Sequence, residues 1–205
     1  GHALQFAQVR HFGLDGEAGA LGEGFSDFLA VSFHDSGDAR FDAAVASWDA
    51  TSYDDRAVPA LRRVDGDKVY PGDVTGFVHD DGEIWSRFLW DLRALIGNDA
   101  SLRLVVESHF LLSPQPSFLD AANAILVANR VLRDSADDRE IRVLLAQRGV
   151  PFTVPPPGAN DDDAFEPNDQ ISSAAALAVG GHADLVLADE DWYRLVVPAW
   201  RRPQI

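Results

Sequence analysis

Apolar residues recur every three or four positions over much of the chain, and this spacing predicts a succession of amphipathic helices. Local signals support some boundaries. Ser117 followed by Asp120 predicts a capping box, Gly97 predicts a helix end, and Asp80 or Asp81 is expected to cap the helix that precedes Gly97. The predicted helices span about 1–10, 18–33, 78–97, 101–112, 117–132 and 137–147.

Residues 34–76 break this periodicity. The segment holds nine aspartates and few regular apolar positions, so we expect a long irregular loop of the kind that is often functional or mobile. Aspartates are calcium ligands, but no EF-hand spacing is present, and a solvated loop is favoured.

The composition changes again after the last predicted helix. A proline-rich and then acidic stretch begins at Val150, and beyond it residues 184–187 and 191–197 have the valine, leucine and aromatic content of strands. The sequence therefore predicts a mainly helical lobe, a linker and an incomplete β module. Their expected bounds are 1–149, 150–164 and 165–205.

Composition excludes several classes of function. The 205 residues are 46% hydrophobic, enough for a core, and carry a formal net charge of −16, which disfavours nucleic-acid binding because phosphates would be repelled. The absence of cysteine leaves histidine and carboxylate as the strong metal ligands. No apolar run approaches the roughly 20 residues of a membrane span. We expect a monomer without a membrane span.

Two carboxylates, Glu23 and Asp27, lie four residues apart, which places them on one face of the second predicted helix. Glycines and phenylalanines crowd both positions, so the charges need a positive partner. His2 lies 21 residues upstream, and a histidine and a glutamate on successive helices can form part of a zinc site. Two alternatives to a zinc site remain open. Glu23 and Asp27 could lie on a solvated helix face, and Gly1-His2 could be a cloning scar.

The stretches G-H-A-L-Q-F-A-Q-V and G-E-G-F-S-D-F resemble the active-site region of thermolysin-like zinc metalloproteases, most closely the fungalysin-like branch. The resemblance implies that His2 is the second zinc histidine and Glu23 the third protein ligand. It implies that Asp27 holds a ligand histidine through its far nitrogen. The first histidine and the catalytic glutamate would precede residue 1, so a fragment is expected.

Further segments carry the same resemblance. V-H-D-D-G-E-I-W, starting at Val78, resembles a fungalysin-like helix start, which implies that His79 donates a hydrogen bond to the oxyanion formed during peptide hydrolysis. Asp73 is the candidate to orient that histidine, and Tyr70 the candidate to replace a missing tyrosine donor. A structural cap or an exposed residue is the alternative for His79. For His109 a helix-surface or packing role is favoured over a role as a ligand.

The C-terminal part resembles a different family. E-P-N-D and D-E-D-W-Y resemble the bacterial pre-peptidase C-terminal domain, a small β-sandwich, over about residues 165–197. Glu166, Asp169, Asp189 and Asp191 could bind calcium there, although turn and surface roles are favoured. The implied fold is the helical lobe of a thermolysin-like metalloprotease with a partial β-sandwich at its C-terminus.

These resemblances imply a fragment of a secreted bacterial zinc metalloendopeptidase that cleaves peptide and protein substrates. Because the first zinc histidine and the catalytic glutamate are not in the sequence, the chain itself is expected to be inactive. A non-catalytic extracellular helical scaffold or adhesion module is the alternative. A glycoside hydrolase using Glu23 and Asp27 is disfavoured, since one helical turn places the two carboxylates too close together for most inverting geometries.

Overall fold

The computed structural model describes residues 1–34, 37–157, 171–177 and 192–195. The chain divides into two compact units, Gly1–Val154 and Pro155–Ile205. The elements are α1 (His2–Gln8), α2 (Gly16–Phe33), β1 (Ala44–Val45), α3 (Ser47–Ala50), β2 (Arg62–Arg63), α4 (Val78–Ile96), α5 (Asn98–Ser108), α6 (Phe118–Arg133), α7 (Asp138–Gln147), β3 (Ala175–Leu177) and β4 (Tyr193–Leu195).

Helices α2 and α4 pack together at the centre of the first unit, and fully buried residues such as Phe25, Phe28 and Phe88 fill the core there. Their backbones approach closely through glycines. A Cβ on Gly24 would clash with the carbonyl oxygen of Gly82, and a Cβ on Gly82 would lie 2.9 Å from the carbonyl oxygen of Ala20. The glycine-rich helix α2 therefore approaches α4 at backbone distance.

Helices α5, α6 and α7 complete this mainly helical unit, and the predicted fold class is confirmed. The Ser117 hydroxyl accepts from the backbone N–H of Asp120, whose carboxylate accepts from the Ser117 N–H, so the predicted capping box is present. Gly97, with φ 88°, ends α4. No helix in the described part of the chain is long and apolar enough to cross a membrane.

The start of α4 differs from the prediction. Phe77 occupies the N-cap position, and Asp80 and Asp81 lie inside the first turn. The buried Asp81 carboxylate accepts from the backbone N–H groups of Thr75 and Gly76 and from the Thr75 hydroxyl. Asp81 therefore fixes the loop before the helix instead of capping the helix itself.

The irregular segment between α2 and α4 is tied to the helices at a few points. Strands β1 and β2 pair antiparallel, with Val45 opposite Arg62, over a small apolar cluster that includes Val31 and Val64. Arg87 on α4 donates to the carbonyl oxygens of Asp65 and Gly66. Three of the aspartates pair with the arginine two residues away: Asp38 with Arg40, Asp54 with Arg56, and Asp65 with Arg63.

In the second unit, β3 and β4 pair in parallel over three residues each. Strand β4 falls within the predicted strand at 191–197. The predicted strand at 184–187 and the acidic residues considered for calcium at 166, 169, 189 and 191 lie outside the described residues. The β-sandwich and the predicted domain bounds stay predictions.

Candidate metal centre

Three elements bring His2, Glu23 and His79 together. Nε2 of His2, in the first turn of α1, lies 3.2 Å from Oε1 of Glu23 on α2. Nε2 of His79, in the first turn of α4, lies 3.3 Å from Oε2 of the same carboxylate. The side chain of Glu23 is 18% exposed, whereas those of His2 and His79 are 41% and 61% exposed. Glu23 thus lies between two imidazoles at a partly open surface.

Small residues make this convergence sterically feasible. A Cβ on Gly22 would lie 3.5 Å from Nδ1 of His2, so α1 rests directly on the backbone of α2. A Cβ on Gly82 would lie 3.1 Å from Cβ of Glu23, which lets the glutamate side chain lie against the first turns of α4. The glycines around Glu23 are therefore needed to bring both histidines to one carboxylate.

Asp27, one turn beyond Glu23, is buried at 4% exposure and is bound by a guanidinium. Nε of Arg62 donates to one carboxylate oxygen at 2.6 Å and a terminal nitrogen donates to the other at 2.7 Å. The hydrogen-bonded Asp27 carboxylate raises the pKa of Arg62 above its usual value, and the charge of Glu23 adds to the effect. The role predicted for Asp27, holding a ligand histidine, stays a prediction.

Arg62 was not selected from the sequence. Its partner lies 35 positions away, and the contact forms only because β2 passes beside α2. The signal in the sequence is indirect: a carboxylate among apolar neighbours requires a cation.

The structure does not bring Asp73 to His79. Within the described residues, the Asp73 carboxylate accepts from the backbone N–H of Val69 at 2.8 Å, and no contact with the histidine is present. The orienting role predicted for Asp73 therefore has no contact to support it. Asp81, which fixes the loop immediately before Val78, does more to place the turn that carries His79.

Tyr70 forms its side-chain hydrogen bond with Glu17 and not with Glu23. Its hydroxyl donates to Oε1 of Glu17 at 2.9 Å, and this hydrogen bond to a carboxylate raises the pKa of Tyr70. Oε2 of Glu17 accepts from the backbone N–H of Phe118 at 2.6 Å. The tyrosine joins its loop to the start of α2, and its role as a donor at the centre stays a prediction that no hydrogen bond in the described residues supports.

His109 has the predicted packing role. It is 3% exposed, its ring meets Phe25 edge to face at 4.4 Å between centroids, and its Nδ1 lies 3.0 Å from Oε1 of Gln8. Burial lowers the pKa of His109 to about 4. The neutral ring joins α1 to the helical core.

His2 and Glu23 fit a metal ion as a partial ligand set. Two ligand atoms on a tetrahedral zinc ion, each roughly 2.0–2.1 Å from the metal, are about 3.3 Å apart, close to the 3.2 Å between Nε2 of His2 and Glu23. Among the described residues, no group of three or more histidine, cysteine, aspartate or glutamate side chains is arranged to hold a metal ion. His2 and Glu23 provide an imidazole and a carboxylate, and a complete zinc site requires at least one further protein ligand.

A histidine and a glutamate on neighbouring helices can supply two of the protein ligands of a zinc site. The family model described as Fungalysin metallopeptidase (M36) matches residues 11–153, and the chain belongs to this family. The match includes Glu23 and His79, while His2 lies just before it. The predicted fungalysin resemblance is confirmed. The pre-peptidase resemblance concerns residues beyond this match and stays a prediction.

Fungal extracellular enzymes are similar to this chain. The "Extracellular metalloproteinase mep" of Aspergillus terreus is 30% identical over 167 residues, covering 67% of this chain and 26% of the relative. The "Probable extracellular metalloproteinase 3" of Trichophyton verrucosum is 27% identical over 166 residues, covering 66% of this chain and 26% of the relative. The "Extracellular metalloproteinase 2" of Arthroderma otae is 27% identical over 168 residues, covering 69% of this chain and 27% of the relative. The chain therefore spans about a quarter of the length of these relatives, and their fungal origin gives no support to a bacterial source.

Proposed function

We propose that this chain is the helical part of a secreted zinc metalloendopeptidase that hydrolyses peptide bonds. The observation that carries the proposal is the position of Glu23 between His2 and His79, in a chain that belongs to a metallopeptidase family. Secretion is proposed because the similar proteins are named extracellular metalloproteinases. Peptides and proteins are the proposed substrates, as the family description implies.

His2 and Glu23 would hold the zinc ion. When bound, zinc polarises the scissile carbonyl and lowers the pKa of its bound water. His79 is exposed and adjacent, so its imidazole can donate a hydrogen bond to the oxyanion that develops on the carbonyl. Arg62 donates to both oxygens of the neighbouring Asp27 and so fixes this carboxylate one helical turn beyond Glu23.

The chain alone is proposed to be inactive. Within the part that the structure describes, His2 and Glu23 form the proposed ligand set, and the catalytic glutamate that the family resemblance implies is not part of this sequence. General-base catalysis is typically worth roughly 10²–10⁴ in rate. The purified 205-residue chain should therefore leave casein uncleaved with or without zinc. Chelator-sensitive cleavage by this chain would show that the catalytic residues have been misplaced.

The non-enzymatic scaffold and the glycoside hydrolase are less well supported. Membership in a metallopeptidase family favours the enzyme over the scaffold. Asp27 is bound on both oxygens by Arg62, so it is poorly placed to act as an acid or a base on a sugar. The calcium sites and the monomeric state stay predictions.

Zinc titration of matched variants tests the proposal. Glu23→Gln removes the proposed ligand, and Glu17→Gln is the control, because Glu17 lies on the same helix and binds Tyr70 and Phe118. Calorimetry should show weak zinc binding by the wild-type chain and by Glu17→Gln, and at least about tenfold weaker binding by Glu23→Gln. Equal affinity in the wild type and Glu23→Gln, or zinc-induced NMR shifts that miss His2, would overturn the metal site.

A further inference from the structure

Gln5, on the buried face of α1, carries an unsatisfied atom. The residue is 1% exposed, and its Oε1 is buried without a hydrogen-bond partner among the described residues. Buried polar atoms are nearly always paired, and an apolar side chain could fill this position without leaving an acceptor unpaired. The amide oxygen therefore calls for an explanation beyond packing.

The location of the Gln5 oxygen suggests an explanation for why it is unpaired. A Cβ on Gly22 would lie 3.1 Å from Oε1 of Gln5 and 3.5 Å from Nδ1 of His2. The acceptor and the ring nitrogen therefore border the same space, left open by a glycine. The other ring nitrogen of His2, Nε2, faces Glu23 at 3.2 Å.

The chemistry of a metal-bound imidazole requires an acceptor at that place. A neutral histidine that binds metal through Nε2 carries its proton on Nδ1, and the group that accepts this proton fixes the tautomer and the ring orientation. Asp27, the nearby buried carboxylate, is already bound on both oxygens by Arg62. Among the described residues, Gln5 thus offers a buried acceptor oxygen without a partner, bordering the same space as Nδ1 of His2.

We propose that Gln5 is a positioning residue for the metal centre: its Oε1 accepts a hydrogen bond from Nδ1–H of His2 when Nε2 of His2 binds the metal. This inference rests on the proposed function, since it concerns the same ligand. Gly22 contributes by carrying no side chain where a Cβ would lie against both groups. The second glutamine of α1 has a different use: Gln8 donates to the carbonyl oxygen of Val106 at 2.8 Å and accepts from His109.

The test compares four variants of the 205-residue chain titrated with zinc. Gln5→Met keeps length and removes the strong acceptor, and Gln5→Glu keeps an acceptor. Gln8→Met is the matched control on the same helix. Gly22→Ala keeps both partners and adds a methyl group close to each of them, which keeps the proposal testable if a Gln5 variant fails to fold. The readouts are the zinc dissociation constant and the ¹⁵N imidazole NMR signals of His2, which report its tautomer.

The wild-type chain should show the Nδ1–H tautomer of His2 when zinc is bound. Gln5→Met and Gly22→Ala should weaken zinc binding by roughly tenfold, in line with other partners of metal-bound histidines, and should speed exchange of the Nδ1 proton. Gln5→Glu should retain binding. Gln8→Met should lower the melting temperature and leave the His2 tautomer and the zinc affinity unchanged.

Two results would overturn the proposal in distinguishable ways. If the folded Gln5→Met and Gly22→Ala variants bind zinc as the wild type does, with the same His2 tautomer, the positioning role is wrong and the metal site stands. If zinc causes no shift of the His2 signals in the wild type, the proposed metal site fails, and the role of Gln5 fails with it.

Discussion

Helix α2 carries two glutamates, six residues apart, that have opposite surroundings. Glu17, at the start of the helix, uses its two oxygens to join Tyr70 and the first residue of α6, both of which belong to the scaffold. Glu23, in the middle, faces two exposed imidazoles from α1 and α4. A carboxylate bound by a backbone N–H and a phenol stabilises a fold, whereas one placed between two imidazoles can share a metal ion.

Two histidines show the same contrast. His109 is enclosed beside Phe25 and is kept neutral by burial. His79 is largely exposed and contacts Glu23. The start of α2 and the surroundings of His109 therefore form the scaffold, and the middle of α2 forms the centre that the scaffold supports.

The largest loss of stability is expected from a substitution of Arg62, which lies at the boundary between scaffold and centre. Arg62→Met leaves the Asp27 carboxylate buried and unpaired, and breaking a buried ion pair from one side typically costs about 3–5 kcal/mol. Urea unfolding should show a loss of this order. Arg40→Met, which breaks the exposed pair with Asp38, is the control and should change nothing measurable. Similar unfolding midpoints for both variants would mean that Asp27 does not depend on Arg62.

Acid should destabilise the scaffold through His109. Its pKa is about 4 when folded and about 6.5 when unfolded, so the unfolded chain binds the proton first. The contribution of neutral His109 is present above pH 6.5 and is lost as pH falls towards 4. Between pH 7 and pH 5 the loss should be about 2 kcal/mol.

His109→Phe is the variant that isolates this effect, because an aromatic ring is kept and the titrating group is removed. Its free energy of unfolding should fall less steeply than that of the wild type over the same pH range. Parallel curves for the two proteins would assign the acid sensitivity to other groups.

In the absence of metal, substitutions of the two glutamates should differ by a smaller amount in their effect on stability. Glu17→Gln weakens two hydrogen bonds to a charged acceptor and should lower stability by about 1–2 kcal/mol. Glu23→Gln should change it less, since its partners are exposed imidazoles. Chemical denaturation of the zinc-free chains gives the comparison. A larger loss for Glu23→Gln than for Glu17→Gln would show that Glu23 is primarily structural.

Local patterns allowed much of the scaffold to be predicted. The periodicity placed six helices, and short-range chemistry identified the capping box at Ser117 and the end of α4 at Gly97. Motifs and the family resemblance singled out the carboxylates and histidines of the centre and led us to expect that they converge. The structure supplies the distances from His2 and His79 to Glu23.

Contacts between distant segments were harder to predict. The 53-residue separation between Tyr70 and Glu17 hid the role of that tyrosine, and the 35-residue separation between Arg62 and Asp27 hid that pair. Gln5 carries no sequence signal, because its importance depends on an oxygen left unpaired beside Gly22. Such features follow from packing, which a linear pattern does not record.

The position of a bound zinc ion tests the central claim most directly. Crystals of the chain soaked in zinc should give an anomalous peak, at the zinc absorption edge, about 2.0–2.2 Å from both Nε2 of His2 and a carboxylate oxygen of Glu23. A peak at that position would establish the middle of α2 as the metal centre. Full occupancy at another site, with none between His2 and Glu23, would contradict the account.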